Sequence, residues 1–135
     1  MNRLSFDNVS VNRNGKLILG PVTLELETAG ITCLLGPNGA GKSVFLNLCH
    51  GMFAPEHGRV SWQNGPAVQS RKDRSFMFQS AAIMRRSVQA NIAFPLLMHK
   101  ISATDRLARV DEALEVARLP DQAKQPAASL SGGAK

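Results

Sequence analysis

The sequence predicts an α/β fold, and three observations support this class. A glycine-rich loop, residues 36–43, lies between a short apolar run and a helical pattern. Near the N-terminus, apolar and polar residues alternate on both sides of Asn14-Gly15, a dipeptide that favours a two-residue β-hairpin turn. After Ser102, apolar residues recur at helical spacing. With 135 residues the chain is long enough to bury a core.

The first thirty residues predict an antiparallel β layer. Residues 4–11 alternate loosely, residues 16–19 form the returning arm of the hairpin, and residues 22–27 alternate strictly, as a half-exposed strand does. Residues 31–35 differ, because they are continuously apolar. Such a run is typical of a strand that is buried on both faces of a parallel core.

The glycine-rich loop fits the pattern G-x-x-x-x-G-K-[ST] at every fixed position. Glycines have no Cβ, so backbone N–H groups can converge on an anion, and the unpaired N–H groups of the following helix add to them. The strand before and the helix after favour a phosphate site on a P-loop NTPase (RecA-like) core over a chance turn ending in Lys-Ser. The loop consists of Gly36, Pro37, Asn38, Gly39, Ala40, Gly41, Lys42 and Ser43.

The last two residues of the loop carry the chemistry that backbone groups cannot supply. Lys42 should reach the β- and γ-phosphates of a nucleoside triphosphate as a mobile point charge. The Ser43 hydroxyl should bind Mg²⁺, which prefers hard oxygen ligands and keeps several waters.

After the loop helix the pattern predicts short strands and then helices. Residues 59–62 form a strand bounded by turns at 55–58 and at Asn64-Gly65, and residues 75–78 form an apolar strand that delivers Gln79. From Ser87 the pattern is helical. A weak capping box, Ser102 with Asp105, precedes one apolar helix face. That face comprises Leu107, Val110, Leu114 and Ala117.

Composition narrows the class of protein. The net charge is +6, but the basic residues are scattered and no aromatic stacking platform accompanies them, which disfavours nucleic-acid binding. No segment approaches the roughly 20 apolar residues that span a bilayer, and no signal peptide begins the chain. We therefore expect a soluble, cytoplasmic protein. Cys33 and Cys49 are expected to be buried, reduced thiols.

A further motif, residues 130–133, reads Leu-Ser-Gly-Gly and follows the helical segment. With the glycine-rich loop and Gln79 in order before it, the chain resembles, over essentially its whole length, the ATP-binding subunits of ABC transporters. The resemblance makes residues 36–43 the Walker A loop. It makes Gln79 the glutamine that contacts Mg²⁺ and the attacking water. Ser131, Gly132 and Gly133 start the signature motif, which acts in trans on ATP held by a second subunit of the same kind.

The resemblance also implies a domain organisation and partners. The antiparallel layer is residues 1–30, the P-loop core 31–79, the helical subdomain 80–128 and the start of the signature helix 129–135. ATP and Mg²⁺ are the implied cofactors. The implied partners are a transmembrane permease, a second ATPase subunit in a homodimer and a solute-binding protein, with no nucleic acid. The subunit would lie in the cytoplasm, held at the inner membrane through the permease.

The cargo is indicated by a single segment. Arg85-Arg86-Ser87, with Asn91, is similar to importers of oxyanions, most nearly of the tungstate type. An exposed basic loop without substrate meaning is an equal alternative. Three other readings of the whole chain are a soluble ABC-type ATPase, a truncated nucleotide-binding module that does not hydrolyse ATP, and the ATPase of an exporter.

Three departures from the family pattern carry expectations. The Mg²⁺-binding aspartate of the Walker B strand, the catalytic glutamate and the switch histidine would follow Lys135. We therefore expect the chain alone to fold poorly, to leave apolar faces of its sheet uncovered and to lack useful ATP hydrolysis. Arg13 stands where the family places an aromatic residue against adenine, and a guanidinium can stack on a purine. Ala134 replaces the usual glutamine of the signature.

Overall fold

A computed structural model of the protein describes residues 3–27, 29–63, 65–80 and 82–130. The chain divides into two compact units, Met1–Phe76 and Met77–Lys135. Each unit has its own cluster of buried apolar side chains.

The first unit is built on an antiparallel sheet whose strand order is β2-β1-β3-β4. The strands that the structure describes are β1 (Arg3–Arg13), β2 (Lys16–Glu27), β3 (His57–Trp62) and β4 (Gly65–Pro66). The predicted hairpin is confirmed, since Arg13 pairs with Lys16 across the turn. Asn14 and Gly15 take the left-handed conformation that this turn requires, with φ of 52° and 74°. Asn64, half of the next predicted turn, lies outside the described residues.

The returning arm of the hairpin is one strand, where the sequence predicted two. The predicted segments 16–19 and 22–27 are joined, because β2 continues through Gly20-Pro21 with shifts in its pairing to β1. A Cβ on Gly20 would come within 2.2 Å of the Val9 carbonyl oxygen, so only glycine allows the two backbones to approach this closely. The predicted alternation beyond it holds, because Val22, Leu24 and Leu26 pack against the core.

Helix α1 (Lys42–His50) packs on this sheet. Phe45 and Leu48 are its buried residues, and Phe45 stacks on Phe6 of β1 with 4.6 Å between ring centroids. The helix that follows the phosphate loop is thus anchored to a strand of the sheet by aromatic contact.

Two predicted strands do not form. Residues 31–37 have no regular secondary structure, and Ile31 and Leu35 are 96% and 89% exposed. Residues 74–78 are likewise irregular, and Met77 is 94% exposed. A strand is held by a hydrogen-bonded neighbour, and no described strand pairs with either segment. The prediction of a buried strand at 31–35 is therefore wrong for this chain, and the apolar side chains of both segments are exposed outside the sheet.

The second unit is helical. Helices α2 (Val88–Met98) and α3 (Ala103–Val116) are each capped by a serine, Ser87 and Ser102. The predicted capping box is confirmed: the Asp105 N–H donates to Ser102 Oγ at 3.1 Å, and that hydroxyl donates to the Asp105 carboxylate at 2.8 Å. On the predicted face of α3, Val110 and Leu114 are buried but Leu107 is 66% exposed. The core of this unit consists of Val88, Val110, Leu114, Ala127 and Leu130.

Candidate functional site

The phosphate loop is shaped by two glycines in the left-handed conformation. Gly39 and Gly41 both have φ of 82°, and Gly41 is the residue that caps α1. A Cβ on Gly41 would lie 2.7 Å from the Ile18 carbonyl oxygen of β2, whereas one on Gly39 would meet nothing within 4 Å. Gly41 is therefore required both by its conformation and by the close approach of the hairpin.

Lys42 begins α1 and folds back across the loop. Its Nζ donates to the carbonyl oxygens of Gly36 and Pro37, each at 2.7 Å. An ammonium has three donors, so two carbonyl contacts leave one for a further acceptor. The structure therefore places the lysine charge at the loop, where the sequence predicted it to meet a phosphate.

The first turn of α1 favours an anion. It contains no acidic residue, and its N-terminal N–H groups form the positive end of the helix dipole. Ser43 is exposed in this turn, so its hydroxyl is accessible to a ligand. These features fit a triphosphate whose Mg²⁺ is bound in part by Ser43.

A cavity of about 410 Å³ lies beside the loop within the first unit. It joins Arg13, at the end of β1, to Ser43 of α1, so the residue predicted to face adenine and the predicted Mg²⁺ ligand share one space. Its lining comprises Val11, Asn12, Arg13, Ile18, Ser43, Val44, Asn47, Phe53, Ala54 and Glu56.

Glu56 and Asn47 of this cavity were missed by the sequence analysis. Glu56 is held in place because its Oε2 accepts a hydrogen bond from the Asn12 N–H at 3.1 Å. The two residues are 44 positions apart, and no local pattern connects them. Only the pairing of β1 with β3 brings the end of the hairpin and the residue before β3 together.

The far end of α1 is held by Arg74. Its Nη2 donates to the carbonyl oxygens of His50 at 2.9 Å and of Ala67 at 2.6 Å, and its guanidinium lies 4.7 Å from the centroid of the Trp62 ring. A cation at the last residue of a helix complements the negative end of its dipole. Burial lowers the pKa of Arg74, an effect that the neighbouring Asp73 opposes.

The two cysteines differ in environment. Cys49, on α1, is partly buried, and burial raises the pKa of its thiol to about 12. Cys33 is exposed, so the prediction of two buried thiols is wrong for it. The reason is the segment on which it lies, since residues 31–37 form no strand in a core.

The remaining predicted site residues lie elsewhere. Gln79 belongs to the second unit, in an exposed bend, so its contact with Mg²⁺ stays a prediction. Ser131, Gly132 and Gly133, together with Ala134, lie outside the described residues.

The family is decided by comparison with known proteins. The model of the family described as "ABC transporter" matches residues 19–135. The chain belongs to the ABC transporter family. Within the described part of the chain, no helix has both the length and the apolar character needed to cross a membrane.

Similar curated proteins are longer than this chain. It is 35% identical over 133 residues to the sulfate/thiosulfate import ATP-binding protein CysA of Mesostigma viride, covering 94% of this chain and 38% of that protein. It is 35% identical to the Fe(3+) ions import ATP-binding protein FbpC of Streptomyces avermitilis, over 96% of this chain and 39% of that protein. It is 30% identical to the tungstate uptake system ATP-binding protein TupC of Peptoclostridium acidaminophilum, over 97% and 61%.

A solved structure confirms the fold class. CbiO1 from Clostridium perfringens, part of the ABC transporter complex cbiONQ, aligns with a TM-score of 0.78 over 95% of this chain and 55% of that chain. The sequence identity is 24%, so this likeness establishes the fold. The predicted class, a P-loop α/β core with an antiparallel layer and a helical part, is thus confirmed.

Proposed function

We propose that this chain binds ATP with Mg²⁺ as part of the ATP-binding subunit of an ABC importer. The observation that carries the proposal is the start of α1. Two left-handed glycines precede it, Lys42 lies across the loop, and the first turn holds no acidic side chain. This arrangement provides backbone donors, a mobile cation and a helix dipole for phosphate groups.

Each residue of the site then has a role. The N–H groups of Gly36 and of residues 38–41 surround the phosphates. Lys42 pairs with the β- and γ-phosphates, and Ser43 supplies a hydroxyl to Mg²⁺. Arg13 stacks on the adenine, which its position in the same cavity as Ser43 supports. A Mg²⁺ ion held by Ser43 would supply positive charge to the phosphate groups.

The roles in hydrolysis rest on the family resemblance. Gln79 contacts Mg²⁺ and the attacking water, while Ser131, Gly132 and Gly133 act on the ATP of a second, identical subunit. These residues and the phosphate loop bind and orient, but none is a general base. The activity proposed for these 135 residues is therefore ATP binding without useful turnover.

Import is supported by the names of the relatives, each of which is an import or uptake protein. The partners are a transmembrane permease, a second ATPase subunit and a solute-binding protein. The permease holds the subunit at the cytoplasmic face of the inner membrane.

A small oxyanion such as tungstate is the proposed cargo. Similarity to the sulfate/thiosulfate and tungstate proteins supports this, and the names favour transport over a soluble ABC-type ATPase.

The proposal is tested by titrating the protein with a fluorescent ATP analogue in the presence of Mg²⁺. Lys42→Ala removes a charge-assisted contact to phosphate and should weaken binding by about tenfold or more. Lys72→Ala, which removes an exposed lysine of the Arg71–Asp73 turn, is the matched control and should bind as the original protein does. Equal affinity of the Lys42→Ala variant and the original protein would contradict the proposal.

A further inference from the structure

A basic pocket of about 320 Å³ lies in the second unit, apart from the residues to which the proposed function assigns roles. Three of its lining residues are cations, Arg85, Arg86 and Lys124, and none is acidic. The other lining residues are Ser87, Pro126 and Ala128.

The two segments that carry these cations are fixed to each other by backbone hydrogen bonds. The Ala127 N–H donates to the Arg86 carbonyl oxygen at 2.9 Å, and the Val88 N–H donates to the Gln125 carbonyl oxygen at 3.0 Å. Ala127 and Val88 are both buried in the core of the unit. The pocket is therefore framed by rigid backbone although its cations come from distant parts of the sequence.

The cations of this basic pocket have no carboxylate partner in the described parts of the chain, where the ion pair found is Arg3–Glu25. All three are exposed, so an anion can reach their charged groups from solvent. Arg86 is further oriented by Phe94, whose ring centroid lies 5.7 Å from its guanidinium carbon.

The hydrogen-bond donors available to a ligand in this pocket are the cationic side chains, and not the backbone N–H groups at the start of α2. The Val88 N–H and the Gln89 N–H already donate to the carbonyl oxygens of Gln125 and Ala123, and the Ala90 N–H donates to Ser87 Oγ. An anion in the pocket would therefore meet guanidinium and ammonium groups, which form the stronger, charge-assisted hydrogen bonds.

We propose that this basic pocket binds a tetrahedral oxyanion carrying two negative charges, either as a free inorganic ion or as the phosphate group of a larger molecule. Three cations from two segments line this one pocket, which suits an anion whose oxygens point in several directions. A single carboxylate offers two oxygens in one plane and one charge, and it would leave more of the positive charge uncompensated. The inference does not depend on the proposed ATP site, since every residue of the pocket lies in the second unit.

The test is a site-resolved titration of the protein with sodium sulfate, followed by the NMR shifts of backbone amides at constant ionic strength. The amides of Arg86 and Ala127 report on the basic pocket, while those of Gly39 and Gly41 report separately on the phosphate loop. We expect saturable shifts at the pocket amides. The triple variant Arg85→Gln, Arg86→Gln, Lys124→Gln should bind sulfate at this site about tenfold more weakly or worse.

A matched triple variant removes the same charge from the same unit. Lys100→Gln, Arg109→Gln, Arg118→Gln neutralises three exposed cations outside the pocket and should change sulfate affinity by no more than about twofold, as screened long-range charge does. The single variants Arg85→Gln and Lys124→Gln serve if the first triple variant does not fold, and each should weaken binding severalfold.

Three outcomes would overturn the inference. They are pocket shifts that rise linearly with sulfate and equally with chloride, equal losses in both triple variants, and tighter binding of the dicarboxylate glutarate than of sulfate. A phosphomonoester, glycerol phosphate, distinguishes the two sources of the anion. If it binds at least as tightly as sulfate, the site takes the phosphate group of a larger molecule, and if sulfate binds more tightly, it takes a free ion.

Discussion

The segments on the two sides of the phosphate loop are held in different ways. Helix α1, after the loop, satisfies its hydrogen bonds internally and buries Phe45 and Leu48 against the sheet. Residues 31–35, before the loop, are more continuously apolar, yet they form no strand and Leu35 is 89% exposed. Apolar character therefore does not by itself produce a buried strand, because a strand also needs a hydrogen-bonded neighbour.

The largest expected effect tests this difference in packing. Phe45→Ala removes a ring that stacks on Phe6 in the core and should lower the free energy of unfolding by about 3–5 kcal/mol. Leu35→Ala, a comparable apolar truncation on the other side of the loop, should change it by less than about 0.5 kcal/mol because the side chain is exposed. Urea unfolding of both variants measures the two values. Similar losses would show that residues 31–35 are packed in solution.

The reactivity of the two cysteines also tests the difference in burial between the two sides of the loop, because Cys33 lies before the loop and Cys49 after it. Burial raises the Cys49 pKa from 9.0 to about 12, so near neutral pH its reactive thiolate becomes on the order of a thousandfold rarer. Cys33 is exposed. We expect a thiol reagent to modify Cys33 first, whereas Cys49 should react slowly until the protein unfolds. Mass spectrometry of the peptides measures both rates of modification.

The pH dependence has a defined sign. A thiol whose pKa is higher in the folded than in the unfolded protein stabilises the fold below the unfolded value and loses this contribution as the pH rises between the two. The contribution of Cys49 should therefore decline from pH 9.0 towards pH 12. Cys49→Ala, compared with the original protein over this range, should flatten the decline. An unchanged slope would mean that the thiol ionises equally in both states.

The sequence predicted those parts of the fold that depend on neighbours along the chain. The Asn14-Gly15 turn, helix α1 and the Ser102–Asp105 cap are set by local backbone preferences, and all are confirmed. The strands at 31–35 and 75–78 depend on partner strands, which no local pattern reveals. The glycines and Lys42 of the site were recognised for the same local reason.

Residues brought in from a distance were not predicted. Glu56 reaches the cavity beside the loop through the sheet, and Lys124 joins Arg85 and Arg86 through contacts between distant segments. Neither residue forms part of a recognisable spacing. A sequence can therefore show which loop is a candidate phosphate site while leaving open what surrounds it.

A pair of glycine variants in the loop separates the cost of a left-handed backbone conformation from the cost of a steric contact with the hairpin. Gly39→Ala forces a Cβ into the left-handed region with nothing within 4 Å, which should cost about 1–2 kcal/mol of stability. Gly41→Ala has the same φ but adds a contact at 2.7 Å with the Ile18 carbonyl, so a further loss of about 1–3 kcal/mol is expected. Urea unfolding of the two proteins measures the difference. Equal losses would mean that the hairpin moves away from the loop at little cost.

A last pair of variants asks how far α1 is determined locally. Arg74→Met keeps an unbranched side chain of similar length but removes the donors to the carbonyl oxygens of His50 and Ala67, and should cost about 1–3 kcal/mol of stability. Arg71→Met removes an exposed arginine of the same turn and should cost little. Amide exchange in the last turn of α1 is the measurement that decides. Faster exchange at Cys49 and His50 in the Arg74→Met variant alone would show that this distant side chain secures the end of α1, whereas unchanged exchange would mean that the helix ends where its own sequence ends it.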